Sequence, residues 1–174
     1  SNFTMNTVSS NGCDMTKDVV VSGTLTLTQG SIFLGSGAQL TANTIVGGSS
    51  ASYVVPSPGA TSTGSRLKRD VGTSATTFPI GTSSSFTPVT VTFPSTNTFT
   101  ARVSTSFANV LPNPEGGIKL EWTFTNGTAV GGTATLGLTW NAGDIGTSFD
   151  AMNAQAYRFN SGAWGAKGGT VSGN

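Results

Sequence analysis

Strict alternation of apolar and polar side chains is the dominant signal along this chain. Ile118, Leu120, Trp122 and Phe124 alternate with Lys119, Glu121, Thr123 and Thr125, the period-two pattern of a strand with one face in a core and the other in water. Phe99, Ala101 and Val103 do the same against Thr98, Thr100, Arg102 and Ser104. Ala134, Leu136, Leu138 and Trp140 mark a third such segment, and a fourth over 154–159 carries Tyr157. Asn126-Gly127, Gly131-Gly132 and Asn160-Ser161-Gly162 supply turns between them, the last leading to Trp164. This half of the chain, 77–174, predicts an antiparallel β-sandwich.

The first half is patterned differently. Val19-Val20-Val21, Leu25 and Leu27, Ile32-Phe33-Leu34, Leu40 and Ile45-Val46 are short apolar clusters. Ser22-Gly23, Gln29-Gly30, Gly35-Ser36-Gly37 and Gly47-Gly48 punctuate them. Short strands with such turns predict the rungs of a β-solenoid, or a tight meander, over 13–76. So few rungs need neighbours to complete their core. Tyr53-Val54-Val55 adds a strand that Pro56-Ser57-Pro58-Gly59 breaks. In 65–71, Leu67 and Val71 stand among Arg66, Lys68, Arg69 and Asp70, which predicts an exposed edge strand guarded by charge. An anion site is the alternative there. Residues 77–93 join the halves, with Pro88 opening the alternating run Val89, Val91, Phe93. Only 147–155 could form a short helical turn. The expected fold class is all-β, a solenoid-like or meander part packed on or followed by a sandwich.

Residues 1–12 form an N-terminal extension in which Phe3 and Met5 alternate with Asn2, Thr4 and Asn6. This fits a strand added to an exposed sheet edge, its own or a neighbour's; a frayed terminus is the plain alternative. In the neighbour's case Phe3 and Met5 are the assembly residues of a donor strand.

Composition sharpens the picture. Charged residues are 9% of the 174, against a typical ~25%, and hydroxyls cover the surface instead. The net charge of +1, with only Arg66, Lys68 and Arg69 clustered and Asp70 following them, argues against the counterion-displacing face that nucleic-acid binding needs. No apolar run is long enough to span a bilayer. The lone Cys13 cannot close an intramolecular disulfide; it is a small buried hydrophobe or an intermolecular partner. The chain begins at Ser1, the pattern of a mature product or an excised piece.

Candidate chemistry is sparse. The absence of His removes the common triads and most zinc sites. The seven acidic residues are spread out rather than paired for acid–base work. Oxygens of Asn141, Asp144 and Asp150 could be offered to calcium, although their spacing matches no EF-hand and a plain polar loop competes. Asn2-Phe3-Thr4 and Asn126-Gly127-Thr128 match a glycosylation sequon, a frequent chance match. Trp122 and Trp140 share apolar strand faces and read as core. Trp164 and Tyr157 flank the final hairpin as a possible sugar-stacking platform, or as partly buried edge aromatics.

The run DVVVSGTLTLTQGSIFLGSGAQLT, then GGSSASYVV, a basic segment before Val71, and FPIGTSSSFTPVTVTF resembles a recurring module. It is that of large secreted surface proteins of Bacteroidetes-type bacteria, often exported by type IX secretion. ATLGLTW and YRFNSGAW continue the resemblance. It implies a secreted or cell-surface location, an adhesive or structural role without a catalytic centre, and partners that are neighbouring modules or copies of the same protein. Such proteins continue past the final hairpin into further domains, whereas this chain stops at Asn174 in GGTVSGN. Either it is a fragment, or its sheet takes a strand from a neighbour.

The function expected is therefore a non-enzymatic segment of a surface filament or adhesin, held by strand pairing between subunits. The alternative is a carbohydrate-binding module of a larger secreted protein, with surface glycans as partners.

Overall fold

The computed structural model describes residues 1–8, 12–57, 64–107, 109–111, 113–127, 131–160 and 162–168. Strands β1 (Phe3–Asn6), β2 (Cys13–Met15), β3 (Val19–Gln29), β4 (Ile32–Leu34), β5 (Gln39–Gly47), β6 (Val54–Pro56) and β7 (Arg66–Val71) carry the first part. Then follow β8 (Thr76–Phe78), β9 (Val89–Thr92), β10 (Asn97–Ser104), β11 (Glu121–Asn126), β12 (Thr135–Leu138), β13 (Ala156–Asn160) and β14 (Ala163–Gly168). Among the described residues the only helical elements are 3-10 turns at Ala142–Asp144 and Ala151–Asn153, the second inside the stretch expected to hold one. Pro58-Gly59, Thr128, Ser161 and the GGTVSGN end from 169 onward, all used in the sequence reading, lie outside the described residues.

Strands β1, β3, β5 and β7 lie side by side and parallel. Strands β2, β4 and β6 form a second parallel ladder, which a bridge from Val54 to Ile80 extends. The chain thus passes from one ladder to the other and back. Leu25, Leu27, Leu40 and Ala42 from the first ladder meet Ile32, Leu34 and Val54 from the second in one buried cluster. The corners after β3 and β5 need left-handed backbone, which Gly30 (φ +80°) and Gly48 (φ +97°) adopt without a Cβ clash.

Two expectations are corrected. Ser22-Gly23 is not a turn: β3 runs through it with a register shift against β5 between Val21 and Thr24. Gly23 is there because the N-terminus passes close by. Its N–H donates to the Ser1 carbonyl at 2.8 Å, and a side chain would strike Ser1 and Asn2. Nor is 65–71 an exposed edge. Strand β7 is central, parallel to β5 on one side and antiparallel to β10 on the other. Leu67 and Val71 are fully buried, and Arg69 is buried with them.

The same sheet crosses the expected boundary at 76/77, in the order β1-β3-β5-β7-β10-β11. Strand β9 lies between β8 and β12, antiparallel to both. Phe78, Val89, Val91 and Phe93 join Phe99, Ala101, Val103 and Leu120 in the common cluster. The Phe93 and Phe99 rings meet edge-on at 5.3 Å. Trp122 and Trp140 pack half-buried against this cluster. Leu136, expected inward, is 42% exposed because β12 is the edge of its sheet.

Leu67 sits at 0% exposure where the parallel and antiparallel ladders meet. Leu67→Ala is expected to lower unfolding free energy by about 2–5 kcal/mol. Lys68→Ala, on the opposite face of the same strand, should stay within about 0.5 kcal/mol of the parent in urea titration.

Candidate functional site

Three regions bear on function: the β1 edge, the loop cluster around Asp144, and the β13–β14 hairpin. At the first, Phe3–Asn6 pairs in parallel with β3, Phe3 opposite Leu25 and Met5 opposite Leu27. The Ser1 ammonium donates to Ser22 Oγ at 2.6 Å, and Asn2 Oδ1 accepts from the Thr24 N–H at 2.9 Å. Met5 is buried in this chain's own core and Phe3 packs half-buried against it. Of the two edges the pattern allowed, the strand lies on its own. Cys13, half-buried on β2, packs against the same core and is a free thiol.

In the second region, sequence reasoning singled out Asn141 and Asp144 but missed their partner Ser85. Asp144 Oδ2 accepts from Ser85 Oγ at 2.7 Å and from the Asn141 N–H at 2.8 Å. Asn141 Nδ2 donates to Ser85 Oγ at 2.7 Å and to the Phe86 carbonyl at 3.1 Å. These bonds fasten the 141–144 loop to the 82–86 loop across more than fifty residues of chain. Phe86 in turn packs against Tyr53 at 5.3 Å, and the Tyr53 hydroxyl donates to the Thr82 carbonyl at 3.0 Å. Burial raises the Tyr53 pKa. An open cleft of about 440 Å³ results, lined by Ser50, Ser84, Ser85, Phe86, Asn141 and Asp144. Only the alternation-free loop NAGD and the Ser run hinted at it, and neither is distinctive.

Asp150, the third oxygen source expected beside Asn141 and Asp144, is used elsewhere. It caps the 3-10 turn that follows, accepting from the Met152 N–H at 2.9 Å and from Asn153 Nδ2 at 2.6 Å. Asp144 is already engaged with Ser85 and Asn141, and no group of three acidic or thiol ligands converges among the described residues. Of the two readings of this loop, the plain polar one accounts for both carboxylates, each held by its own neighbours.

At the hairpin, Phe159 stands opposite Trp164 and Tyr157 opposite Ala166, so Tyr157, Phe159 and Trp164 share one face. Phe159 and Trp164 meet edge-on at 5.2 Å. The Trp164 indole N–H donates to the Val110 carbonyl at 2.9 Å, which tethers the hairpin and leaves Tyr157, 56% exposed, as the accessible ring. No protein-family model, curated protein or solved structure matches the chain.

Within the basic segment, Arg69 is consumed by structure. Arg69 donates to the Asn43 carbonyl at 2.7 Å and to the Thr77 carbonyl, with its guanidinium 5.9 Å from the Phe78 ring centre. Desolvation lowers its pKa, yet a guanidinium stays protonated. Asp70 accepts from Thr98 Oγ1 at 2.9 Å and Asn43 Nδ2 at 2.6 Å. An anion would have to compete with both sets of partners.

Thr147 donates to Glu115 at 2.7 Å, which holds that carboxyl below its ordinary range with help from Lys119. Asn153 and the Met152 N–H do the same for Asp150. Both shifts run away from the near-neutral values that a general acid needs. Because both pKa values are depressed in the fold, the ordering these groups lend is present above the ordinary carboxylate range and lost as pH falls through the folded values. Carbon-detected NMR of the Glu115 and Asp150 carboxyls should give midpoints below those of unstructured peptides. Asn153→Ala should move the Asp150 midpoint upward.

Proposed function

We propose that this chain is a structural, non-enzymatic β-protein of an extracellular surface, working through strand pairing and apolar burial between neighbours. In this reading the two parallel ladders are a short β-solenoid, and the strands from β8 onward are a sandwich grown from its last rung. The observation that carries it is the end of the ladders. Among the described residues, β1 and β2 each have a strand partner on one side only, and half-buried Phe3 and Cys13 lie beside these free edges. A neighbouring module, or a second copy, would add its strands there. The free outer edge of β1, rather than withdrawal of Met5 from its own core, is then the assembly element. The low charge and the resemblance to secreted surface modules support the same reading.

In β2 the Cys13 N–H and the Met15 carbonyl face β4, so the intervening Asp14 N–H points to the free edge. Asp14→Pro removes that donor while leaving the intramolecular ladder intact. Sedimentation velocity should find concentration-dependent association of the parent chain and at least about tenfold weaker association of the variant. A parent that remains monomeric throughout, or a variant that associates equally well, refutes the proposal.

Exposed Tyr157 on the Phe159–Trp164 face favours a second reading, a carbohydrate-binding module. If it holds, Tyr157→Ala abolishes retention on glycan arrays and leaves the melting temperature unchanged.

A further inference from the structure

The large sheet runs β1-β3-β5-β7-β10-β11, so among the described residues β1 and β11 are its two unpaired edges. Strands β1, β3, β5 and β7 are parallel. Two antiparallel steps, β7 to β10 and β10 to β11, turn the direction back again. The strand at one edge therefore points the same way as the strand at the other.

Backbone hydrogen bonds fix what each edge offers. The Ser1 carbonyl accepts from the Gly23 N–H at 2.8 Å, and the Thr7 N–H donates to the Gln29 carbonyl at 3.0 Å. Odd-numbered residues of β1 thus turn their backbone groups to β3, and those of Thr4 and Asn6 turn to the free edge. On β11 the Gly127 N–H donates to the Thr98 carbonyl at 2.7 Å. In the unbroken register with β10, Glu121, Thr123 and Thr125 then bond to β10, and the backbone groups of Trp122 and Phe124 face the free edge. Phe3, Met5, Trp122 and Phe124 all belong to the common core face, and all but Met5 are half-buried.

These alternations are complementary. In a parallel pair, a residue that bonds across the joint stands beside one that bonds away from it, with both side chains on the same face. Core-facing residues bond away from the free edge on β1 and toward it on β11. Phe3 beside Trp122, Thr4 beside Thr123, Met5 beside Phe124 and Asn6 beside Thr125 satisfies both requirements. This register also keeps all of β1 within the length of β11, and none of the eight residues is charged. An antiparallel approach would set Thr4 against Trp122 or Phe124 and throw the two cores onto opposite faces of the joined sheet.

We propose that the chain assembles head to tail through this joint, β1 of one copy continuing the sheet beyond β11 of another. The inference rests on the strand-edge assembly proposed above and names the partner surface of β1. The joint is heterologous, so every assembly keeps a free edge at each end and growth stays open. Six strands at about 4.8 Å give each copy a rise of about 29 Å. The joint covers Phe3, Trp122 and Phe124 together. A closed pair of β1 edges, the competing arrangement, leaves the two β11 rings uncovered.

Thr4 and Thr123 sit on opposite edges of one copy and meet only across the joint. In the whole chain, Thr4→Lys with Thr123→Lys sets like charges side by side there, whereas Thr4→Lys with Thr123→Glu sets opposite ones. Sedimentation velocity and negative-stain electron microscopy should find open chains for the parent. The Lys–Lys variant should associate at least about threefold more weakly than the Lys–Glu variant. Asn6→Lys with Thr125→Lys or Thr125→Glu repeats the comparison at exposed positions, should either first variant lose the parent circular dichroism spectrum. Equal association of the two charge variants, with a parent that associates, overturns the joint and leaves assembly through another edge standing. So does a parent that stops at a dimer which Thr4→Lys weakens whatever stands at 123. A parent that stays monomeric overturns both the joint and the assembly reading.

Discussion

The fold depends on β7, a strand that must satisfy two incompatible partners at once. On one side it continues a parallel ladder begun by β1, β3 and β5; on the other it starts an antiparallel one with β10 and β11. Leu67 and Val71 supply its apolar face. Arg69 closes the junction by bonding carbonyls on β5 and β8 and lying over Phe78. A buried guanidinium is costly unless its donors are used, and here the Asn43 and Thr77 carbonyls take up its two terminal nitrogens. The one side chain therefore links β5, β7 and β8.

From that junction the division of labour in the molecule follows. Upstream, parallel pairing stacks identical directions, so outward residues fall into rows and the surface becomes a grid. Downstream, antiparallel pairing is free to turn back on itself, and loops rather than faces carry the irregular chemistry. The Ser85–Asn141–Asp144 cluster and the tethered Trp164 both belong to these returns. Their polar groups are engaged with one another, which favours rigidity over reactivity.

Much of this was legible in the chain. Alternation located β9, β10 and β11 and assigned their inward residues, because a half-buried strand shows its period directly. The Gly-punctuated clusters of 19–48 indicated short strands without fixing their direction, and the alternation of Phe3 and Met5 indicated a strand on a sheet edge. Alternation failed where burial depended on a distant partner. Arg66 to Asp70 carry the charge signature of an edge, and only the arrival of β10 makes their strand central, with Leu67 and Arg69 buried. Ser22-Gly23 has the composition of a turn, whereas it is a point where the N-terminus crosses close to β3. Asp144 and Asp150 lie six residues apart, but each is drawn to a different local donor.

The sequence by itself determined that the chain is nearly all β, which residues of its clearest alternating strands face inward, and that no His-based chemistry is available. Each is a property of residue type and a two-residue period. Tertiary structure alone decided which strands are neighbours and in which direction. It thereby decided that β7 is central, that β1 and β2 end their ladders among the described residues, and that Thr4, Thr24, Thr26 and Thr44 align across three strands. Strand order and register arise from contacts far apart in the chain, closed by shared burial in one core. No local period encodes them.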